Sequence, residues 1–171
     1  MVYPLIPAGR RITGVLLESM LPLVAYKATT EPLTSSTTLQ NDDDLVLTVE
    51  ADATYEMDLK LFHDSDATVA GDIKIGWVGP SGATMNWGVH GANTSIASST
   101  NVGGVNMQTR VIGEVAAFGG GDSAGTVAIA FGVLITSSTA GTLQLQWAQE
   151  NSNAVATNVR AGSVLKLRRI A

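Results

Sequence analysis

A short segment near the C-terminus, Thr142–Gln149, alternates strictly between large apolar side chains and small or uncharged polar ones. This period of two predicts a β-strand with one face in a hydrophobic core. The side chains predicted to face the core are Leu143, Leu145 and Trp147. Those on the opposite face are Gln144, Gln146 and Ala148. Because a strand face in contact with water usually carries charge, we expect this second face to be covered by another copy of the chain.

Further segments show the same β pattern. The cleanest of them predicts an inward row of Tyr55, Met57, Leu59 and Leu61. The segment Thr126–Ile135 is almost wholly apolar, and two neighbouring strands are predicted to end in Trp77 and Trp87 and to form one aromatic cluster in the core. Turns rich in Gly, Asp and Asn separate eight or nine such strands, which is the spacing of an antiparallel β-sandwich. A jelly roll is our first prediction and an immunoglobulin-like sandwich the second, because a parallel sheet would need helical crossovers that the sequence lacks.

The N-terminus differs from this all-β pattern. Prolines and a glycine among apolar residues predict an extended arm, and Thr13 is positioned to cap a short helix from Gly14 to Leu21 that Pro22 ends. Such a short helix needs something to pack against, either its own domain or a larger assembly. We predict an arm and helix over 1–32 and a β-sandwich domain over 33–171. In the second alternative the arm and helix anchor the protein to that assembly through Tyr3, Leu5, Ile6, Arg10, Arg11, Leu16, Leu17 and Met20.

Charge is unevenly distributed along the chain. The segments 75–109 and 123–149 contain no Asp, Glu, Lys or Arg. A monomer of this size normally places charge on every exposed strand, so these segments are expected to be covered in a symmetric homo-oligomer, with a trimer as our expectation. The predicted oligomer interface consists of Gln144, Gln146, Ala148, Ala128 and Ala130.

The bulk properties exclude several classes of protein. With a net charge of −5, the chain lacks the basic patch that nucleic-acid binding requires. It has no cysteine, so disulfides and thiolate chemistry are excluded. No segment is apolar for long enough to span a membrane, and the N-terminus does not have the pattern of a signal peptide. We therefore expect neither nucleic acid nor a membrane as a partner.

The sequence offers no convincing catalytic, metal or cofactor site. Its two histidines, His63 and His90, are predicted to be surface residues at strand ends, and no nucleophile motif accompanies them. Two groups of aspartates could bind calcium, but neither has the spacing of a calcium loop. Asp is also an ordinary turn residue, and we predict turns at residues 41–44 and 64–66. The members of these groups are Asp42, Asp43 and Asp44 in the first, and Asp64, Asp66 and Asp72 in the second. We predict no catalytic residue, no metal and no cofactor.

Several segments together resemble a family of small virion proteins from tailed bacteriophages of actinobacteria. The segments that carry the resemblance are Tyr3–Arg10 with Ile12-Thr13, Leu21–Lys27, Ile73–Trp77, Pro80–Thr84, Thr139–Gln149 and Ala161–Arg168. The resemblance implies a structural component of the virion and supplies no catalytic residues. Combined with the modest length, it favours a capsid decoration protein, a minor capsid protein on the capsid surface that is made in the host cytoplasm and binds the major capsid protein through its N-terminal arm.

Two alternatives stay open at this point. The first is a minor tail or tail-fibre subunit that contacts the host, with the uncharged loop 91–104 as the contact. The second, from a different class, is a carbohydrate-binding module that uses Trp77 or Trp87 as a stacking platform. An exposed tryptophan would favour the module, and buried tryptophans would exclude it.

Overall fold

The computed structural model of the chain describes residues 8–9, 11–18, 20–65, 71–94, 104–120 and 123–171, with Val15 and Glu18 described by their backbone alone. Within these ranges there is one short helix, α1 (Gly14–Glu18), and every other regular element is a β-strand. The strands are β1 (Leu23–Tyr26), β2 (Glu31–Leu33), β3 (Gln40–Val49), β4 (Thr54–Asp64), β5 (Ile73–Val78), β6 (Thr84–Ala92), β7 (Val105–Asn106), β8 (Thr109–Val111), β9 (Ala116–Phe118), β10 (Thr126–Ile135), β11 (Gly141–Gln149), β12 (Thr157–Val159) and β13 (Val164–Arg169).

The strands form two antiparallel sheets packed as a sandwich, which confirms the predicted fold class. The smaller sheet has the order β3-β11-β5-β9, and the larger has the order β1-β13-β4-β10-β6-β7. In the larger sheet, β12 also pairs with β2 and β4, and β8 pairs with β6. Consecutive strands from β3 to β6 alternate between the two sheets, as do β9, β10 and β11. This alternation is the connectivity of a jelly roll.

The core is built by the alternating segments that the sequence predicts. The inward rows of β4 and β11 are buried, from Tyr55 to Leu61 on β4 and from Leu143 to Trp147 on β11. Trp77 on β5 and Trp87 on β6 belong to different sheets and meet edge to face across the sandwich, with ring centroids 6.3 Å apart. The indole N–H of Trp87 donates a hydrogen bond to the carbonyl of Val111 at 3.0 Å. The predicted aromatic cluster in the core is therefore confirmed.

The aspartate run near residue 42 differs from its prediction as a turn. It lies inside β3, where the register against β11 shifts from the pair Gln144 and Val46 to the pair Gln146 and Asn41. The extra residues on β3 form a bulge. The Asp42 carboxylate stabilises this bulge because its Oδ1 accepts the backbone N–H groups of Asp44 and Leu45 at 3.0 and 2.8 Å.

The N-terminal helix begins as predicted and ends earlier. The Thr13 side chain accepts the N–H of Leu16 at 3.3 Å, and its carbonyl accepts the N–H of Leu17 at 3.1 Å, so Thr13 caps α1. The helix ends at Glu18, three residues before the predicted end. From Leu23 the chain enters the larger sheet, where β1 pairs with β13 and forms the end of the described strand order.

Candidate functional site

The residues that follow the N-terminal arm expose a series of apolar side chains. Leu17 on α1 is 53% exposed and Leu21 is 67% exposed, and the edge strand β1 adds Val24 and Tyr26. Among the predicted anchor residues, Leu16 is half-buried, and Arg11, Leu17 and Met20 are exposed. Tyr3, Leu5, Ile6 and Arg10 lie outside the described residues. The described part of the predicted anchor therefore presents apolar side chains to solvent.

A second apolar surface runs along β10 on the outer face of the larger sheet. Its outward side chains are Val127, Ile129, Phe131, Val133 and Ile135, and four of them are exposed, Ile129 being half-buried. Phe131 stands at the middle of this row and is 53% exposed. We call this row the β10 stripe.

The strands on either side of the β10 stripe differ in charge. On one side, the register places Glu56, Asp58 and Lys60 of β4 next to the stripe. These charges are paired within the face, since Arg168 contacts Glu56 at 2.6 Å and Lys60 contacts Asp58 at 3.2 Å. On the other side, β6 contributes the row Thr84, Asn86, Gly88 and His90, which contains no Asp, Glu, Lys or Arg.

Grooves lie on both sides of Phe131. One has a volume of about 320 Å³, has a mainly apolar surface and includes Gly88, Met107, Phe131 and Val133 in its lining. The other, of about 470 Å³, lies between Phe131 and the acidic pair Glu56 and Asp58. Gly88 leaves room for the phenyl ring, because a Cβ at that position would be 3.0 Å from it. The stripe therefore has a central ridge with a groove on each side.

The structure corrects the predicted oligomer interface. Ala128 and Ala130 face the core and are 1% and 0% exposed, so they lie on the inner side of β10. The physical reason is volume: Gly132 on the same inner side already lies so close to β6 that a Cβ there would be 2.8 Å from Cβ of Trp87. The small residues on the inner side of β10 leave space for Trp87, and the bulky side chains of the strand, apart from the buried Leu134, face outward.

The outward face of β11 is partly covered by the chain itself. Gln144 donates a hydrogen bond to the carbonyl of Asp42 at 3.0 Å, and Gln146 donates one to Asn41 at 2.8 Å. Ala148 is buried. Beside this row, a Cβ on Gly76 would contact Leu39 and Val115. Intramolecular contacts thus supply part of the cover that the sequence led us to expect from a second copy.

The first aspartate group surrounds an ammonium group. Nζ of Lys27 lies 2.7 Å from Glu31, 2.9 Å from Asp42 and 3.7 Å from Asp44, and the Lys27 side chain is 1% exposed. Burial by itself lowers the pKa of Lys27, but its hydrogen bonds to Glu31 and Asp42 and the charges of these carboxylates outweigh burial, and the pKa is raised. The positive charge of Lys27 therefore compensates the negative charge of these carboxylates.

The second aspartate group is divided. Asp64 pairs with Asn158 and with Arg160, whose Nε is 3.4 Å away, whereas Asp72 is buried and its Oδ1 accepts the N–H of Gly120 at 2.9 Å. Burial raises the pKa of Asp72 to about 6, against the opposing effect of the Gly120 hydrogen bond and with a smaller contribution from the charge of Glu150. Asp66 lies outside the described residues. Nowhere in the described ranges do three or more His, Asp or Glu side chains form a metal-binding group.

His63 corrects the prediction for the histidines. The alternation of β4 continues past Leu61, so the imidazole is in the core and 1% exposed, with its ring centroid 6.4 Å from that of Phe118. Neither ring nitrogen has a hydrogen-bond partner among the described residues. Burial lowers the pKa of His63 to about 4. His90 is exposed near the end of β6, as predicted.

The tryptophans exclude a stacking platform for sugars. Trp77, Trp87 and Trp147 are at most 2% exposed, so none of these rings presents a face to a ligand in solvent. The carbohydrate-binding alternative loses the residues on which it depended. In the loop 91–104, proposed as a host contact, residues 95–103 lie outside the described residues.

These features define a jelly-roll β-sandwich with two exposed apolar surfaces. No protein-family model matches the chain, and no curated protein matches it. No helix in the described ranges is both long and apolar enough to cross a membrane.

Among solved structures, the chain is similar to VP2 of the infectious bursal disease virus subviral particle, with 9% identity and a TM-score of 0.22 over 87% of this chain and 41% of that one. For the Gx strain of the same virus, identity is 9% and the TM-score 0.19 over 88% of this chain and 41% of the other. For the Gt strain, identity is 10% and the TM-score 0.21 over 86% of this chain and 41% of the other. The chain thus spans about two fifths of the length of these proteins, 41% in each case. TM-scores this low carry no argument about function.

Proposed function

We propose that the chain is a structural protein of a bacteriophage virion, which decorates the capsid as a homo-oligomer and acts by binding, without catalysing a reaction. The observation that carries the proposal is the series of exposed apolar side chains on and between α1 and β1, among them Leu17, Met20, Leu21 and Val24, in a chain that resembles phage virion proteins. Large apolar residues in such a run usually mark a surface that a partner covers.

The proposed partner of this N-terminal surface is the major capsid protein. β1 is the end strand of the larger sheet in the described order, so its free edge can pair with a strand of the partner. Leu17, Met20 and Leu21 then supply apolar contacts beside that edge. Each large apolar side chain that becomes fully buried contributes on the order of 1.5–3 kcal/mol before the costs of association.

Immunogold labelling of intact particles tests the location. Antibodies against the sandwich domain are expected to place gold on the heads. Gold on the tails would overturn capsid decoration and favour a minor tail or fibre subunit. Particles that carry no gold although the chain is present in the lysate would overturn a virion role altogether.

Binding of purified protein to undecorated particles tests the N-terminal surface. Deletion of residues 1–22 and the single substitution Leu17→Asp are both expected to reduce occupancy at least tenfold. Val155→Asp is the matched control, because Val155 is similarly exposed, on the loop that precedes β12. Normal occupancy of the deletion variant would contradict the proposed anchor.

A further inference from the structure

The β10 stripe is the second exposed apolar surface, and the anchor does not use it. It lies near the centre of the larger sheet, with β13 and β4 between β10 and the edge strand β1. A capsid strand that pairs with the edge of β1 would therefore leave the stripe in contact with water. The stripe needs a partner of its own.

We infer that the β10 stripe is the surface through which copies of this chain associate, with Phe131 of one copy packed into the groove beside Phe131 of another. The inference deepens the proposed function by naming the oligomer interface, and it rests on that function for its biological setting.

Shape favours a copy of the same chain. The face carries both a ridge, Phe131, and a mainly apolar groove of about 320 Å³ next to it, whose lining includes Gly88, Met107 and Val133. A ridge and a groove in one patch let the same surface of two copies interlock, as an isologous two-fold contact between identical subunits requires. An aromatic side chain in an apolar groove is also a common anchor of protein interfaces.

Charge removes the usual obstacle to such a contact. The β6 side of the stripe is uncharged at Thr84, Asn86 and Gly88. On the β4 side, Glu56 and Asp58 are neutralised by Arg168 and Lys60 within the same face. An approaching copy therefore meets apolar, uncharged or already paired groups, whereas a strongly charged partner would find little complementary charge.

The area suits a stable contact. With about 200 Å² for a fully exposed large side chain, the exposed parts of the apolar residues on this face present roughly 600 Å². These residues are Phe62, Met107, Val127, Phe131, Val133 and Ile135. The apolar residues alone therefore present most of the ~800 Å² that each partner buries in a standard interface.

Sedimentation velocity of the purified full chain, without particles, tests the inference. The wild type is expected to sediment as a multiple of the 17.7 kDa chain, and Phe131→Asp as a single chain. Val78→Asp is the matched control and is expected to keep the wild-type mass, because Val78 is similarly exposed on β5 of the other sheet. Tryptophan emission and far-ultraviolet circular dichroism show whether each variant is folded.

A second variant covers the case in which Phe131→Asp fails to fold. Asn86→Arg adds a charge on the exposed side of the groove and removes no apolar contact. It is expected to weaken association at least tenfold. A wild type that stays monomeric at high concentration, or a wild-type mass for folded Phe131→Asp or Asn86→Arg, would overturn the inference.

Particle binding separates this inference from the proposed function. A chain that associates through the β10 stripe but does not bind particles would support the interface and contradict the virion role. A monomer that decorates particles through its N-terminus would support the virion role and contradict the interface.

Discussion

Lys27 and Asp42 form a buried ion pair that joins the two sheets of the sandwich, with Nζ 2.9 Å from Oδ2. Lys27 directly follows β1 of the larger sheet, and Asp42 lies in the bulge of β3 in the smaller sheet. The backbone N–H and carbonyl of Lys27 are also bonded, to Ser163 and Gly162. The pair thus fixes β1 and the turn before β13 against β3.

Replacing the lysine is expected to be costly because the carboxylate stays buried without its cation. Lys27→Met should lower the free energy of unfolding by about 3–5 kcal/mol, measured by urea denaturation. The matched control is Lys60→Met, which breaks the exposed pair with Asp58 and should change stability by less than about 1 kcal/mol. Equal losses in the two variants would contradict a special role for the buried pair.

His63 is expected to make the protein sensitive to acid. Its pKa is lowered to about 4 in the folded chain, against 6.5 for an ordinary histidine, so the unfolded chain binds more protons between these two pH values. The contribution of the neutral, buried His63 to the free energy of unfolding is fully present above pH 6.5. It is lost as the pH falls toward 4, by up to about 3 kcal/mol. The difference in free energy of unfolding, wild type minus His63→Leu, should decrease as the pH falls from 6.5 to 4.

The protonation of His63 can also be followed directly. A His63 imidazole that titrates above pH 6 in nuclear magnetic resonance spectra would contradict the buried neutral state.

The contribution of Asp72 to stability should depend on pH in the opposite direction from that of His63. The pKa of Asp72 is raised to about 6 by burial, so the folded chain holds a proton between pH 3.8 and 6 that the unfolded chain has released, and the ionised carboxylate destabilises the fold above that range. Asp72→Asn keeps an oxygen for the Gly120 N–H and should raise the free energy of unfolding at pH 7 by about 1–3 kcal/mol. The gain should disappear below pH 4, and a loss of stability at pH 7 would contradict the assignment.

Alanine substitutions of two glycines in the larger sheet test the explanation for the outward-facing bulky side chains of β10. Gly132→Ala would place Cβ 2.6 Å from the carbonyl oxygen of Asn86, and backbone atoms cannot move aside easily, so we expect a loss of about 2 kcal/mol or more in urea denaturation. Gly88→Ala meets the ring of Phe131 at 3.0 Å, which can rotate into solvent, and should be tolerated better. The reverse order would contradict this packing.

Much of the fold could be predicted from local pattern. The strict alternation of β4 and β11 identified their buried rows, Thr13 identified the start of α1, and the absence of helical crossovers indicated a sandwich. The same reasoning failed where local turn propensity competed with a partner distant in sequence. The aspartates near residue 42 resemble a turn, but their interaction with Lys27 and the pairing with β11 hold them in a bulged strand.

The sequence by itself determined which residues share a face of each strand, because side chains alternate with a period of two whatever the strand packs against. Only the tertiary structure decided which of the two faces of β10 is buried. That choice depends on the volume of Trp87 on a neighbouring strand, to which Gly132 is paired across the sheet. The same non-local packing left Phe131 exposed on the surface.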